Sequence, residues 1–383
     1  MPEPASPPTR IVSGLASEWP FGVAAATAAL FLLGGMPEAG ALVVVTLFAV
    51  VLATAFAVVR HAEALAHTLG EPLGTLVLTL AVIGIEVAVI SASMAAGDGS
   101  PTLARDTMYA VVMLALNGLV GASLVLGGLR YREQTFNLQG ASAYLAVLVP
   151  LAVLTLVLPN FTTATRDATY SPLQSGLFAA SALGLYGVFL AIQNVRHRSY
   201  FLPPEPASPE PASPGPVATT AGAARDPAGD GRPAAHHGVL LVAYLGLIVY
   251  LSKQLSAPLD AVVSAAGAPE ALVGLLVAAL VFSPEAVTAV RAARANELQR
   301  SVNLLLGSAL ASVSLTVPAA LVIGLATGQA VVLGLRPADM VLLTLTLLVS
   351  VLKFTSERTN VLLGAVHLLL FTVYLALIFD AGA

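Results

Sequence analysis

The sequence contains no cysteine. That excludes disulfide bridges, thiolate metal sites and cysteine nucleophiles together, and leaves oxygen as the natural ligand chemistry. Charge is also scarce: Asp, Glu, Lys and Arg make up 10% of 383 residues, against about a quarter in an ordinary soluble domain. No basic tract is dense enough for nucleic acid, and no block of like charge marks an interaction tail. An HExxH pair and a nucleophile with a base at helical spacing are both missing, which ranks an intramembrane enzyme last. What fills the chain instead is apolar: 57% of residues are hydrophobic and the net charge is only −4. The mean hydropathy is +0.88. An integral membrane protein follows, with the lipid bilayer and inorganic cations as partners, no nucleic acid and no cofactor.

Residues 1–19 form a polar, Pro-rich start without a signal-peptide cleavage site, and read as a disordered tail. Apolar runs of about 17 to 25 residues mark membrane-crossing helices. The sequence predicts eleven of them, near 20–35, 41–59, 72–94, 107–128, 141–158, 174–193, 238–255, 269–290, 301–325, 338–353 and 358–379. Residues 194–237 include PEPASPEPASPGP and offer almost no large apolar side chain to bury, so they read as a disordered cytoplasmic linker.

Lys and Arg favour the cytoplasmic side of short loops. With the N-terminus inside, thirteen of the 17 basic residues fall there, and Arg105, Arg166, Lys253 and Arg336 fall outside. The chain is thus expected to be multi-pass in the inner (plasma) membrane, N-terminus cytoplasmic and C-terminus outside. Setting aside a peripheral first helix at 20–35, five spans lie in 41–193 and five in 238–379. Five is odd, so the second half runs upside down relative to the first, as in an inverted repeat. The expected fold class is an all-α polytopic membrane protein.

One apolar stretch, GEPLGTLVLTLAVIGIEVAVISASM from Gly70 to Met94, carries Glu86 near its middle, and EALVGLLVAALVFSPEAVTAV from Glu270 to Val290 carries Glu285. A charge at that depth costs about 2.5–3.5 kcal/mol even on lenient scales, which marks a functional group. Each glutamate sits on the second span of its half, so the two helices cross in opposite directions and the carboxylates can meet near the midplane. Beside Glu285, Ser283 and Pro284 predict a local break, since proline frees the carbonyl one turn earlier and such backbone needs protein or a wet cavity to satisfy it. Gly84 reads as the weaker counterpart, allowing close backbone approach, and Thr79 shares the Glu86 face.

The following spans supply Asn117 in one half and Ser308, Ser312 and Thr316 on one stripe in the other. Amides and hydroxyls of this kind also serve as interhelical glue. Two carboxylates, an amide, hydroxyls and freed carbonyls make about six ligands, which suits Ca²⁺ or Na⁺ better than a rigidly octahedral Mg²⁺. Facing carboxylates in a low-dielectric site cannot both stay ionised and unpaired. One divalent cation or two protons neutralises them, and the two fillings exclude each other. That is the minimal physics of a cation/proton antiporter.

Elsewhere, His61 and His67 read as a solvated helix end, and His367 as a histidine donating to a neighbouring helix. Trp19, Tyr109, Tyr131 and Tyr250 fit an interfacial belt.

Residues 70–90, GEPLGTLVLTLAVIGIEVAVI, and 280–319, LVFSPEAVTAVRAARANELQRSVNLLLGSALASVSLTVPA, resemble the two signature repeats of the cation/proton exchanger branch of the calcium/cation antiporter superfamily, in particular the bacterial ChaA-type antiporters. The resemblance implies eleven helices with a peripheral first one, and export of Ca²⁺ driven by inward proton flow. Na⁺ or K⁺ serves as substrate in some members. It assigns Glu86 and Glu285 as primary ligands, Asn117 as auxiliary, and the Ser308/Ser312 region as its counterpart. Sodium/calcium exchangers place another carboxylate where this chain has Ser312, which implies fewer cations per cycle here. The sequence thus points to Ca²⁺/H⁺ antiport by alternating access, with Na⁺(K⁺)/H⁺ antiport, and after it a cation channel, as alternatives.

Overall fold

The computed structural model describes residues 18–34, 40–70, 73–95, 101–203, 232–354 and 358–380. Residues 1–17 of the expected tail and 204–231 of the expected linker lie outside them.

Eleven long helices account for nearly all of the described chain: α1 Trp19–Leu32, α2 Ala41–Leu69, α3 Leu73–Ala95, α4 Leu103–Tyr131, α5 Leu138–Leu156, α6 Pro172–Arg196, α7 Ala234–Ala265, α8 Ala271–Arg294, α9 Leu298–Thr327, α10 Pro337–Lys353 and α11 Val361–Asp380. Among the described residues, eight of them are long and apolar enough to cross a membrane. Local chemistry sets their ends. Pro20, Pro172 and Pro337 occupy first-turn positions, where a missing N–H costs nothing. Ser171 and Gln174 form a reciprocal capping box. Gly70 and Gly328 close α2 and α9 with φ of 66° and 71°, a backbone that favours glycine.

Two helices outrun their expected lengths by about ten residues. α2 continues to Leu69 rather than 59 and α7 to Ala265 rather than 255. RHAEALAHTL is too polar for a hydropathy window and SAPLDAVVSA carries Pro258 and Asp260, yet neither stops a helix before Gly70 or Gly267, and the two helices pack along each other. The ends of the 194–237 stretch are likewise helical, since α6 runs to Arg196 and α7 starts at Ala234.

Polar contacts between loops fall into two sets at opposite ends of the bundle. At one end a short antiparallel pair joins Gln134–Thr135 to Arg358–Thr359. There too Tyr131 donates to the Arg294 carbonyl at 2.9 Å and Asn303 to the Phe201 carbonyl at 2.7 Å. At the other end the Val332 N–H reaches the Pro101 carbonyl at 3.0 Å, and Gln329 reaches the Met94 carbonyl at 2.9 Å. Helices α3 and α8 therefore run in opposite directions, and α2–α6 and α7–α11 form two inverted five-helix repeats. Helix α1 rests against α2 and α7 at the edge.

The centre belongs to α4, α8 and α9, the most buried of the long helices. In both repeats the third helix widens into a π-helical turn, Leu114–Leu119 in α4 and Ser312–Thr316 in α9. Such turns displace side chains from the ordinary helical register and recur at functional sites. Helix α8 approaches α4 so closely at Gly274 that a Cβ there would lie 2.7 Å from the Asp106 carbonyl carbon.

Candidate functional site

Glu86 on α3 and Glu285 on α8 are both buried, at 0% and 4% exposure, and the two helices pack against each other. The Ser312 hydroxyl, at the start of the α9 π-turn, donates to Glu86 Oε2 at 2.6 Å. This hydrogen bond joins the acidic helix of one repeat to the π-turn of the other. Thr316 lies beside the same carboxylate. Among the described residues, Glu86 Oε1 and both Glu285 carboxylate oxygens have no hydrogen-bond partner, and the Ser314 and Thr316 hydroxyls lack one as well. Buried polar atoms in native proteins are nearly always paired, so this group of orphans makes the pair a candidate binding place. The orphans are mostly carboxylate oxygens, which suits a hard cation or protons.

Among the described residues, the other expected ligands form no hydrogen bond to this pair. Asn117, fully buried in the α4 π-turn, donates through Nδ2 to Thr346 Oγ1 at 2.8 Å. Its Oδ1 accepts from His367 Nδ1 at 3.0 Å. Its carboxamide is thus spent on α10 and α11 rather than on Glu285. Ser308 is half-buried and, among the hydrogen bonds of the described residues, donates to neither carboxylate. Ser283 also turns away, its hydroxyl bonding the Ala279 carbonyl of its own helix at 2.5 Å. Thr79 on α3 meets the Tyr186 hydroxyl of α6.

The expected helix break is corrected. Helix α8 stays helical through Pro284, and α3 through Gly84. Proline removes one N–H, but the flanking hydrogen bonds and the packing of α8 against α4 and α9 hold the rest of the helix. Close backbone approach at Gly84 is corrected too, since a Cβ there would meet only the Leu245 side chain at 3.5 Å. On the acidic helices the tight approaches are at Gly74, where a Cβ would run into the Ala66 carbonyl oxygen, and at Gly274.

Residue-by-residue reading missed Thr346. The signal was a polar stripe, because Asp339, Thr346, Ser350 and Lys353 fall on one face of α10 and all four are buried. His367 does bond to a neighbouring helix, as expected. Tyr109, expected in the interfacial belt, is buried and packs edge-on against Tyr374 at 5.2 Å.

His61 is not a solvated helix end: it is buried at 1% exposure in a cluster that ties α1, α2 and α7 together. Glu18, just before α1, accepts from Arg60 at 2.8 Å, Tyr244 at 2.9 Å and Arg232 at 3.0 Å, and lies 3.1 Å from His61 Nε2. His61 Nδ1 meets His237 Nδ1 at 3.0 Å. Partial burial works to raise the Glu18 carboxyl, but the bonds from Tyr244 and His61 and the Arg60 charge outweigh it and hold the group below its usual range.

The sequence model of the "Sodium/calcium exchanger protein" family matches residues 39–195 and 236–379. The sodium-potassium/proton antiporter ChaA of Escherichia coli strain K12 is 40% identical over 356 residues, covering 91% of this chain and 93% of its own. A Sinorhizobium fredii protein, y4hA, named as an ionic transporter, is 44% identical over 351 residues, 91% of this chain and 92% of its own. Among solved structures, native YfkE superposes with a TM-score of 0.69 at 19% identity, over 94% of this chain and 99% of that one.

Proposed function

Because the chain belongs to the sodium/calcium exchanger protein family and is a multi-pass cation/proton antiporter, we propose that it exchanges Ca²⁺ for protons by alternating access at Glu86 and Glu285. The observation that carries this reading is the pair itself: two buried carboxylates with three oxygens unpartnered among the described residues. One Ca²⁺ neutralises both groups, and so do two protons. A charged, empty pair is costly to move through the apolar barrier, whereas either neutral filling is not, and this difference couples the two flows. Glu86 and Glu285 are the primary ligands, with Ser312 orienting Glu86.

A second reading, Na⁺ or K⁺ in place of Ca²⁺, is favoured by the name of the Escherichia coli relative and by the engagement of Asn117 with His367 and Thr346. Fewer oxygens at the site suit a monovalent ion, since Ca²⁺ takes 6–8. The location follows from the same reading: the plasma membrane, with the N-terminus cytoplasmic and the C-terminus outside, supported by the thirteen-to-four division of basic residues.

The test uses inside-out vesicles carrying the protein, acidified inside and followed with a pH-sensitive dye. Added Ca²⁺ is expected to collapse the gradient, and Glu86→Gln and Glu285→Gln each to abolish the response. Collapse by Na⁺ or K⁺ but not Ca²⁺ moves the substrate to the second reading. No response to any cation from inserted wild-type protein defeats antiport at this site.

A further inference from the structure

The two repeats present matching pieces that are used differently. Ser312 and Asn117 occupy the π-turns of the third helix in their respective halves. Ser312 reaches across to the carboxylate of the other repeat at 2.6 Å. By the inverted symmetry Asn117 should reach Glu285, yet both Glu285 oxygens are without a partner among the described residues. The amide is held from both sides. His367 Nδ1, on α11, donates to its carbonyl oxygen at 3.0 Å, and its Nδ2 donates to Thr346 Oγ1 of α10 at 2.8 Å. Thr346 then directs its own hydroxyl to Met113 Sδ at 3.7 Å, which is consistent with its accepting from the amide. All three side chains are at most 1% exposed, so water does not compete for these bonds.

We propose that His367 and Thr346 are positioning residues that hold the Asn117 carboxamide out of the cation site and thereby set the preference between monovalent cations and Ca²⁺. This rests on exchange at Glu86 and Glu285. With the amide held, Glu285 faces its cargo without a neutral oxygen from α4, and the site presents few ligands. Released, the Asn117 carbonyl adds a neutral oxygen on the Glu285 side. An added neutral oxygen favours the ion that takes more ligands, which is Ca²⁺.

The experiment measures half-saturating Na⁺ and Ca²⁺ for proton release in the same inside-out vesicles. His367→Leu is expected to raise the preference for Ca²⁺ over Na⁺ by about tenfold, the lower end of what partners behind a metal ligand carry. His367→Gln, which can still donate to Asn117, is expected to keep the wild-type preference. Thr346→Val frees the amide from the other side and is expected to shift the preference in the same direction, so the test stands even if the leucine variant fails to insert. The effect must run through Asn117: in an Asn117→Ala background, His367→Leu and Thr346→Val should no longer change the ratio.

An unchanged ratio in transport-competent His367→Leu or Thr346→Val protein overturns the proposal. So does a shift that persists without Asn117, or a glutamine variant that shifts as far as leucine. Loss of all exchange in the wild type is a different result, and it removes the antiport reading instead.

Discussion

Ser312 is the residue on which the geometry makes its sharpest local claim. Its hydroxyl donates to Glu86 Oε2 at 2.6 Å, while both Glu285 oxygens have no partner among the described residues. A hydrogen bond to a charged group contributes about 1.5–3 kcal/mol. Ser312→Ala is therefore expected to raise the half-saturating cation concentration about tenfold or more in dye-monitored vesicles, with the protein still inserted and folded. Ser308→Ala, one turn earlier and away from both carboxylates, is expected to stay near the wild-type value. If the two substitutions behave alike, the hydroxyls act through packing rather than ligation.

At this scale the sequence singles out two acidic residues in apolar runs, which the structure buries, and says little about what their neighbours touch. An acidic side chain deep in an apolar run is conspicuous, because little but function retains it there, so Glu86 and Glu285 were legible. The direction of Asn117 was not. An amide can turn either way, and the partners that decide it, Thr346 and His367, lie more than two hundred positions later on helices whose packing no local pattern reveals.

Among the elements, the two acidic helices meet their neighbours differently at Gly84 and Gly274. Helix α8 leans on α4 through Gly274, where any Cβ would lie within 3 Å of the Asp106 and Thr107 backbone. Overpacking of this kind costs about 1–3 kcal/mol, and two backbones must separate to relieve it. Gly274→Ala is expected to lower the thermal midpoint of the purified protein in detergent. Gly84→Ala on α3 is expected to be near neutral or slightly stabilising, because its Cβ would make only ordinary contact with Leu245. Equal effects at the two glycines would contradict the packing described.

The helix count and order were legible because a membrane crossing has a fixed length and an apolar composition. The extensions of α2 and α7 were not, since hydropathy ends where water begins while a helix continues until something stops it. Nor were the π-turns of α4 and α9, which leave no period of their own in the sequence.

For the whole molecule, inversion of the halves follows from an odd number of helices per repeat, and the two separated sets of loop contacts bear it out. Which end faces the cytoplasm is a matter of charge. The natural lack of cysteine makes a clean test available, since a single introduced thiol is unique. Ser199→Cys lies at the end with most of the basic residues, and Thr163→Cys at the other. A membrane-impermeant maleimide on intact cells is expected to label Thr163→Cys, and Ser199→Cys only after permeabilisation. The reverse pattern would turn the molecule over.

The central claim is that cation and protons compete for one pair of carboxylates, and counting protons released on binding tests it most directly. Calorimetric titration of purified protein with Ca²⁺, and separately with Na⁺, in buffers of different ionisation enthalpy gives that count. Wild-type protein is expected to release protons as the cation binds, and Glu86→Gln and Glu285→Gln to lose both the binding and the release. Cation binding with no proton release at any pH, or release that survives in both variants, would contradict exchange at this site.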